Sequence, residues 1–403
     1  MPTRTQVCTW IATAGLLVPS SGAGQDRTER EVVDLIVRDG PRARAIRAET
    51  EVGRREQLAR LAYPNPSVTY SREGAGFTEF LQAEQSLPIF GTRDALSRAG
   101  VAATAAAEAE RDVRLWLLRS DAAAAVARAV AEQDRLESAR GHVVEIERLV
   151  EIVRTREREG EGSRFDRMRA EQELRDASQL VTSAMVALAE ARALLSSMLP
   201  RDVTLTTVGA SPLLQQPTPP LETLLTRATS TRSELRALNQ LAERTTQEAE
   251  AAKRARLPSP KVFGGIKRAD ASAGRETGGV FGLSVAVPLF DTGGREGARW
   301  AAEGVRIDAE RTSMEDRIRS EITGASQVLT VRQAALAQEQ PGAADQLVQI
   351  AEVAYREGEV GILELLDAVR TASRARIRGI DLRLDARLAQ IALERAVGDT
   401  LWP

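Results

Sequence analysis

The chain repeats itself. Pro64-Asn65-Pro66 returns as Pro258-Ser259-Pro260, Leu87-Pro88-Ile89-Phe90 as Val287-Pro288-Leu289-Phe290, and Arg158-Glu159-Gly160-Glu161 as Arg356-Glu357-Gly358-Glu359. Three ordered motifs recurring at an offset of about 200 residues mark a duplicated structural unit. Each half, 24–199 and 221–403, is expected to hold a medium helix, a β-hairpin, a very long helix, a tight turn and a second medium helix. The proline-rich stretch 200–220 joins them.

Most of each half is rich in Ala, Arg, Glu and Leu, the composition of long solvated helices with narrow apolar seams. Such stretches cover roughly 28–62, 92–199, 221–257 and 289–340. The seam can be counted: Leu174, Val181, Leu188 and Leu195 recur every seventh residue, and Ala177, Ala184, Ala191 and Met198 follow three further on. Upstream, Leu136, Val143 and Val150 alternate with Ala139, Ile146 and Val153 in the same pattern. Two heptad stripes separated by the stop signal Arg158-to-Gly162 predict an antiparallel helical hairpin over 92–199, with small residues that let the backbones approach. The counterpart in the second half is 294–400. At about 1.5 Å per residue the long helices near 92–155 and 294–355 would each span on the order of 90 Å. Pro341-Gly342 is expected to kink or break the second of these, with no equivalent in the first half.

The aromatic residues are few and clustered. Tyr63, Tyr70, Phe77, Phe80 and Phe90 fall in one window, and Phe263, Phe281 and Phe290 in another. Each window opens on a Pro-x-Pro stop and carries two strand-like runs about a Gly-containing turn, predicting β-hairpins at 66–90 and 260–290. Phe281, Leu283, Val285 and Val287 alternate with small residues; Leu81, Ala83, Gln85 and Leu87 alternate less cleanly with Gln82, Glu84 and Ser86, since Gln85 departs from the apolar row. These runs have one apolar face. Four strands cannot close a membrane barrel, and an open sheet edge in lipid leaves backbone groups unpaired. If the hairpins lie in a membrane, closure must come from other copies, and three copies supply twelve strands. The alternative is a soluble β patch capping a helical bundle.

Composition narrows the function. With 55 Lys and Arg against 57 Asp and Glu, there is no basic excess to steer the chain to nucleic acid. One cysteine, Cys8, and one histidine, His142, exclude a disulfide framework and a metal site built from several His or Cys ligands, and no cofactor or catalytic set is expected. His142 itself reads as a helical residue rather than a metal ligand, and Trp116 and Trp300 read as packing residues. Gly278-Gly279 and Gly293-Gly294 lack the ending of a phosphate loop. The N-terminus has the form of an export signal, with Arg4 ahead of an apolar stretch Trp10 to Val18 and a small-residue cleavage site ending at Ala23, so 1–23 is expected to be removed. Cys8 is not at the cleavage point, so no lipid anchor is expected. No membrane-spanning helix is expected after residue 24.

The order of elements resembles the TolC family of outer-membrane efflux proteins over essentially the whole mature chain. The resemblance is carried by the paired Pro-x-Pro motifs, by Leu87-Pro88-Ile89-Phe90-Gly91 with Val287-Pro288-Leu289-Phe290-Asp291, and by the run from Tyr355 through Gly358 and Glu364 to Asp367 and Ala368. Asn65-Pro66 and Phe90-Gly91-Thr92-Arg93 look closer to the heavy-metal exporter branch, CzcC and CusC. The resemblance implies a mainly α fold with a small β part, and a homotrimer whose 12-stranded β-barrel in outer-membrane lipid continues as a periplasmic α-helical barrel. It implies a passive exit duct served by a periplasmic adaptor protein and an inner-membrane pump, with no enzymatic activity. A soluble periplasmic coiled-coil scaffold is the competing reading.

By the same resemblance, Glu364, Asp367 and Tyr355 mark a gate. The two carboxylates sit three apart on one helix face, and threefold symmetry would make them acidic rings, which favour cations. Acids that cap a helix N-terminal turn would look the same in sequence. The family's closing network can include a basic residue just after the turn, where this chain has Val360. Arg158, Gly160, Arg356 and Gly358 would form the adaptor-docking tips, or be ordinary helix ends. Gln82 and Glu84 are expected to face the barrel lumen, and Phe281, Leu283 and Val285 the lipid.

Overall fold

The computed structural model describes residues 25–74, 78–209, 217–254, 256–271, 274–287, 289–290, 292–340 and 342–402. The proposed export signal with Cys8, together with Phe77, Pro288, Asp291 and Pro341, lies outside these residues. The order is β1 (Gln25–Thr28), α1 (Glu29–Asp39), α2 (Pro41–Arg60), β2 (Ser67–Glu73), β3 (Thr78–Ser86), α3 (Thr92–Glu159), α4 (Arg164–Met198) and β4 (Leu205–Gly209). The second half follows with α5 (Leu221–Thr231), α6 (Ser233–Arg254), β5 (Pro260–Ala271), β6 (Gly274–Val285), α7 (Gly294–Ala337), α8 (Ala343–Arg356) and α9 (Ile362–Val397). The fold is mainly helical with a small sheet, as the sequence pattern requires.

The 68-residue α3 is joined to α4 by a short turn. Leu136, Ala139, Ile146, Val150 and Val153 of α3 are buried along the seam, as are Ala177, Leu188 and Leu195 of α4. Gly160, at φ 82°, reverses the chain, and Glu161 and Gly162 donate their amides back to the Arg156 carbonyl. Ser163 then opens α4 with a capping box to Asp166. The second half repeats this turn: Gly358 has φ 77°, and Glu359 and Val360 donate to Ala354 O.

Three features depart from the sequence pattern. The medium helix of each half is broken in two, at Gly40-Pro41 and at Arg232. Proline at the first position of α2 cannot continue the ladder of α1, and Gly40 lets the backbone pass so close that a Cβ there would collide with Ile36 O and lie 2.7 Å from Met198 O. Gly40→Ala is therefore expected to cost about 1–3 kcal/mol, seen as a lower denaturation midpoint. Arg232 is 4% exposed because its guanidinium caps the end of α9, donating to Ala396 O at 2.7 Å and Arg395 O at 3.2 Å. Second, the stretch 200–220 is more than a linker: β4 pairs in parallel with β1.

The third departure corrects the expectation of no spanning helix. By length and composition α4 is apolar enough to cross a membrane, yet only 11% of its most apolar stretch is buried in the protomer. One stripe packs on α3, while Leu180, Met185, Val186 and Leu194 are exposed elsewhere on its surface. The expected interruption of the second long helix lies between Ala337 and Ala343, with Gly342 at φ 86°.

The four long strands form one sheet in the order β2-β3-β5-β6, every neighbouring pair antiparallel. The two hairpins, from opposite halves of the chain, meet at β3 and β5.

Candidate functional site

Register divides the sheet into two chemically distinct faces. Tyr70 pairs with Leu81, Leu81 with Ile266, Gly264 with Phe281, Val262 with Leu283 and Pro260 with Val285. Side chains directly opposite share a face, so Tyr70, Leu81, Val262, Ile266, Phe281, Leu283 and Val285 form one apolar surface, and all are exposed in the protomer. Phe281 is 89% exposed. Toward the hairpin tips the same face turns charged, at Glu79, Arg268, Asp270 and Arg275. Gln82 and Glu84 lie on the opposite face with Phe80, Phe263 and Lys267, and Lys261 Nζ donates to Glu84 Oε1 at 2.8 Å. Gly282 is the floor on which Phe263 rests, since a Cβ there would run into the ring. A band of exposed apolar side chains ending in charges is costly in water and favoured in a bilayer.

At the other end, α8, the turn at Gly358 and α9 pack against the α3–α4 hairpin. Tyr355 is 3% exposed, in a cluster with Ile146, Leu149, Val150 and Val153 of α3 and Leu365, Leu366 and Val369 of α9. Burial pushes its phenol above the ordinary range, and the charge of Asp166 adds to that. Arg156 of α3 donates Nη1 to the Tyr355 carbonyl and places its guanidinium 4.9 Å from the Tyr355 ring centre. Val360 packs against the same apolar cluster. The cation beside this turn is thus Arg156, contributed by the other hairpin.

Glu364 and Asp367 are exposed on one face of α9. The Glu364 carboxylate folds back toward Gly361, where Oε2 would be 2.9 Å from a Cβ, and it stands in the first turn of the helix. Its placement there satisfies the helix-end role that sequence left open. Tyr355 is buried in the seam while both acids face solvent, so the structure does not bring the three residues together. At the tips, Arg158 Nη2 donates to Thr155 Oγ1 at 3.0 Å and Arg356 Nη2 to Glu352 Oε1 at 2.6 Å.

Sequence reasoning missed the ion pairs that tie the hairpins together. Arg370 of α9 reaches Glu173 of α4, with Nε donating to Oε1 at 2.9 Å, and Glu173 is 7% exposed. Arg148 of α3 donates to Glu352 of α8. Higher up, Arg376 of α9 clasps Glu145 of α3, Nη1 to Oε2 at 2.9 Å and Nη2 to Oε1 at 2.5 Å, and Asp345 of α8, Nε to Oδ1 at 3.0 Å. Bidentate guanidinium–carboxylate pairs of this kind fix geometry as well as adding energy. Burial pushes the Glu145 carboxyl up, but His142 and the Arg376 guanidinium together outweigh it and hold it at about 2. His142 acts at 3.9 Å, as an electrostatic neighbour rather than a hydrogen-bond donor.

The chain is thus an elongated, internally duplicated helical molecule with a small sheet that presents one apolar face and one polar face. Residues 224–399 match the family model for the outer membrane efflux protein. By sequence that match lies in the second repeat, while the likeness in fold extends over nearly the whole length. A solved structure of CusC superposes with a TM-score of 0.74 at 17% identity, covering 95% of this chain and 96% of that one. The open state of the Neisseria gonorrhoeae MtrE outer membrane channel gives 0.73 at 17% identity, covering 93% and 90%. A membrane protein from Pseudomonas aeruginosa gives 0.73 at 20% identity, covering 92% and 93%. No curated protein matches the chain by sequence.

Proposed function

We propose that three copies of this chain form a passive exit duct of a tripartite efflux system. The β-hairpins close a 12-stranded barrel in the outer membrane, and the helices continue it through the periplasm to an adaptor protein and an inner-membrane pump. The observation that carries this reading is a continuous pair of unpartnered edges. The sheet ends at β2 on one side and β6 on the other. The helices next to it pack in the order α2-α3-α6-α7, and those further away in the order α4-α3-α9-α8. The edge helices carry most of the exposed apolar side chains on the helices: Val52 and Leu58 on α2, Leu180, Met185, Val186 and Leu194 on α4, Val305, Val328 and Val331 on α7, Leu347, Ile350 and Val353 on α8. A ring of copies covers sheet edge and helix edges together, with the β6, α7 and α8 side of one protomer against the β2, α2 and α4 side of the next. A soluble scaffold would leave all of these in water, together with the apolar sheet face.

In this reading, residues 1–23 direct export and are removed, and the tips at Arg158, Gly160, Arg356 and Gly358 meet the adaptor. The duct opens when the α8–α9 hairpin moves away from α3–α4, breaking the Arg156, Arg148, Arg370 and Arg376 ties. Tyr355 acts as the apolar key between the hairpins, while Glu364 and Asp367 form exposed acidic rings that hold cations. The pump chooses the cargo, with small-molecule or metal-ion efflux fitting the CusC-like fold. Single-channel recording tests the gate. Glu364→Ala with Asp367→Ala is expected to weaken divalent-cation block several-fold, and unchanged block and conductance would remove these two residues from the gate.

A further inference from the structure

His142 is the one histidine in the chain. It is 4% exposed in α3, and its Nδ1 is buried without a hydrogen-bond partner, 3.9 Å from Glu145 Oε2. An imidazole nitrogen left unbonded in the interior is costly, and it stands beside the carboxylate that Arg376 uses to join α3 to α9. Glu145 on α3 faces it directly, and through Glu145 the cluster takes in Arg376 from α9 and Asp345 from α8. On α4, residues 177–189 carry no ionisable side chain. An adjoining cavity of about 370 Å³, lined by Glu145, Arg148, Asp345, Glu352 and Arg376 among others, gives the cluster a path to water.

We propose that His142 is a proton switch on the clasp between the two helical hairpins: when it is protonated, its Nδ1–H draws Glu145 Oε2 away from Arg376 and its charge repels the guanidinium, so the clasp loosens. The direction follows from the topology. His142 and Glu145 are on the same helix, so their attraction joins nothing, whereas the bond it competes with is the one that crosses to α9. Glu145, held at about 2, stays ionised from pH 8 down to 5.5. Imidazole is the side chain that ordinarily changes charge across that range. The clasp is therefore intact while the imidazole is neutral and loosens when it takes up a proton.

Amide hydrogen exchange of residues 362–380 in the purified full-length protein reads the clasp without requiring conduction. After correction for intrinsic rates, exchange should rise about tenfold from pH 8 to pH 5.5, the effect of roughly one pH unit of coupling. His142→Gln should remove that step, and His142→Met, which fills similar space without a titratable group, should do the same. Arg376→Gln should exchange fast at both pH values. A step that persists in both histidine variants, or the absence of a step in the wild type, overturns the switch. The consequence for conduction rests on the duct reading. An exchange step with no accompanying change in conductance supports the clasp and counts against the second hairpin as the gate.

Discussion

Phe281→Lys combined with Leu283→Lys is expected to remove the protein from the outer membrane. Both side chains are exposed on the apolar face of β6, at 89% and 64%, and in a closed barrel they would meet lipid. A lysine at the bilayer midplane of a barrel costs about 2–4 kcal/mol. Two per protomer in three protomers therefore cost about 12–24 kcal/mol, more than an ordinary folding margin can absorb. The readout is the amount of detergent-resistant trimer in the outer-membrane fraction, expected to fall more than tenfold. Gln82→Lys, on the opposite face of the same sheet, supplies the control. It adds a cation beside Lys267 and Glu84 without meeting lipid, and should leave trimer abundance near wild type. Equal losses in both variants would mean that the two faces are not chemically distinct environments.

Arg376→Ala should leave the duct open. The substitution strands Glu145 and Asp345 between three helices, and removing one partner of a buried pair costs 3–5 kcal/mol in dry surroundings. Arg376 retains 26% side-chain exposure and Asp345 49%, so screening reduces the figure to about 2 kcal/mol. Set against the packed position of the second hairpin, that is a shift of roughly thirtyfold toward the released state. Single-channel recording should show a matching rise in open probability, and Arg376→Lys, which keeps the charge but loses the two-pronged geometry, should fall between. An open probability that does not move would place the resistance to opening elsewhere, in the apolar seat of Tyr355.

Much of the architecture was legible in the residues because it depends on short-range rules. The heptads of α3 and α4 set the hairpin, Gly160 and Gly358 supply the left-handed turns that end α3 and α8, and the alternation of Phe281, Leu283 and Val285 defines the face of β6. The break at Gly40-Pro41 was readable from Pro41, whereas the break at Arg232 depends on a bond to a carbonyl 164 residues away. The second apolar face of α4 was also written plainly in Leu180, Met185, Val186 and Leu194, and its meaning emerges only once α3 is seen to cover a single stripe.

The site was less legible. Tyr355, Glu364 and Asp367 are close in sequence, yet α8 carries the tyrosine into the seam and α9 turns the acids out to solvent. The clasps join residues such as Glu145 and Arg376, 231 positions apart. A charged residue beside a heptad seam looks the same in sequence whether it meets water or a partner on another helix. Val360 left the source of a cation at the second turn open, and Arg156 supplies it from the first hairpin.

In the proposed duct, the chain completes its structure only as a ring of copies in the outer membrane. Subunit stoichiometry of the full-length protein, extracted from separated outer membranes in mild detergent and weighed by native mass spectrometry, is the decisive measurement. Three copies, recovered from the outer-membrane fraction, are expected. A monomer recovered from the soluble periplasmic fraction would contradict this reading.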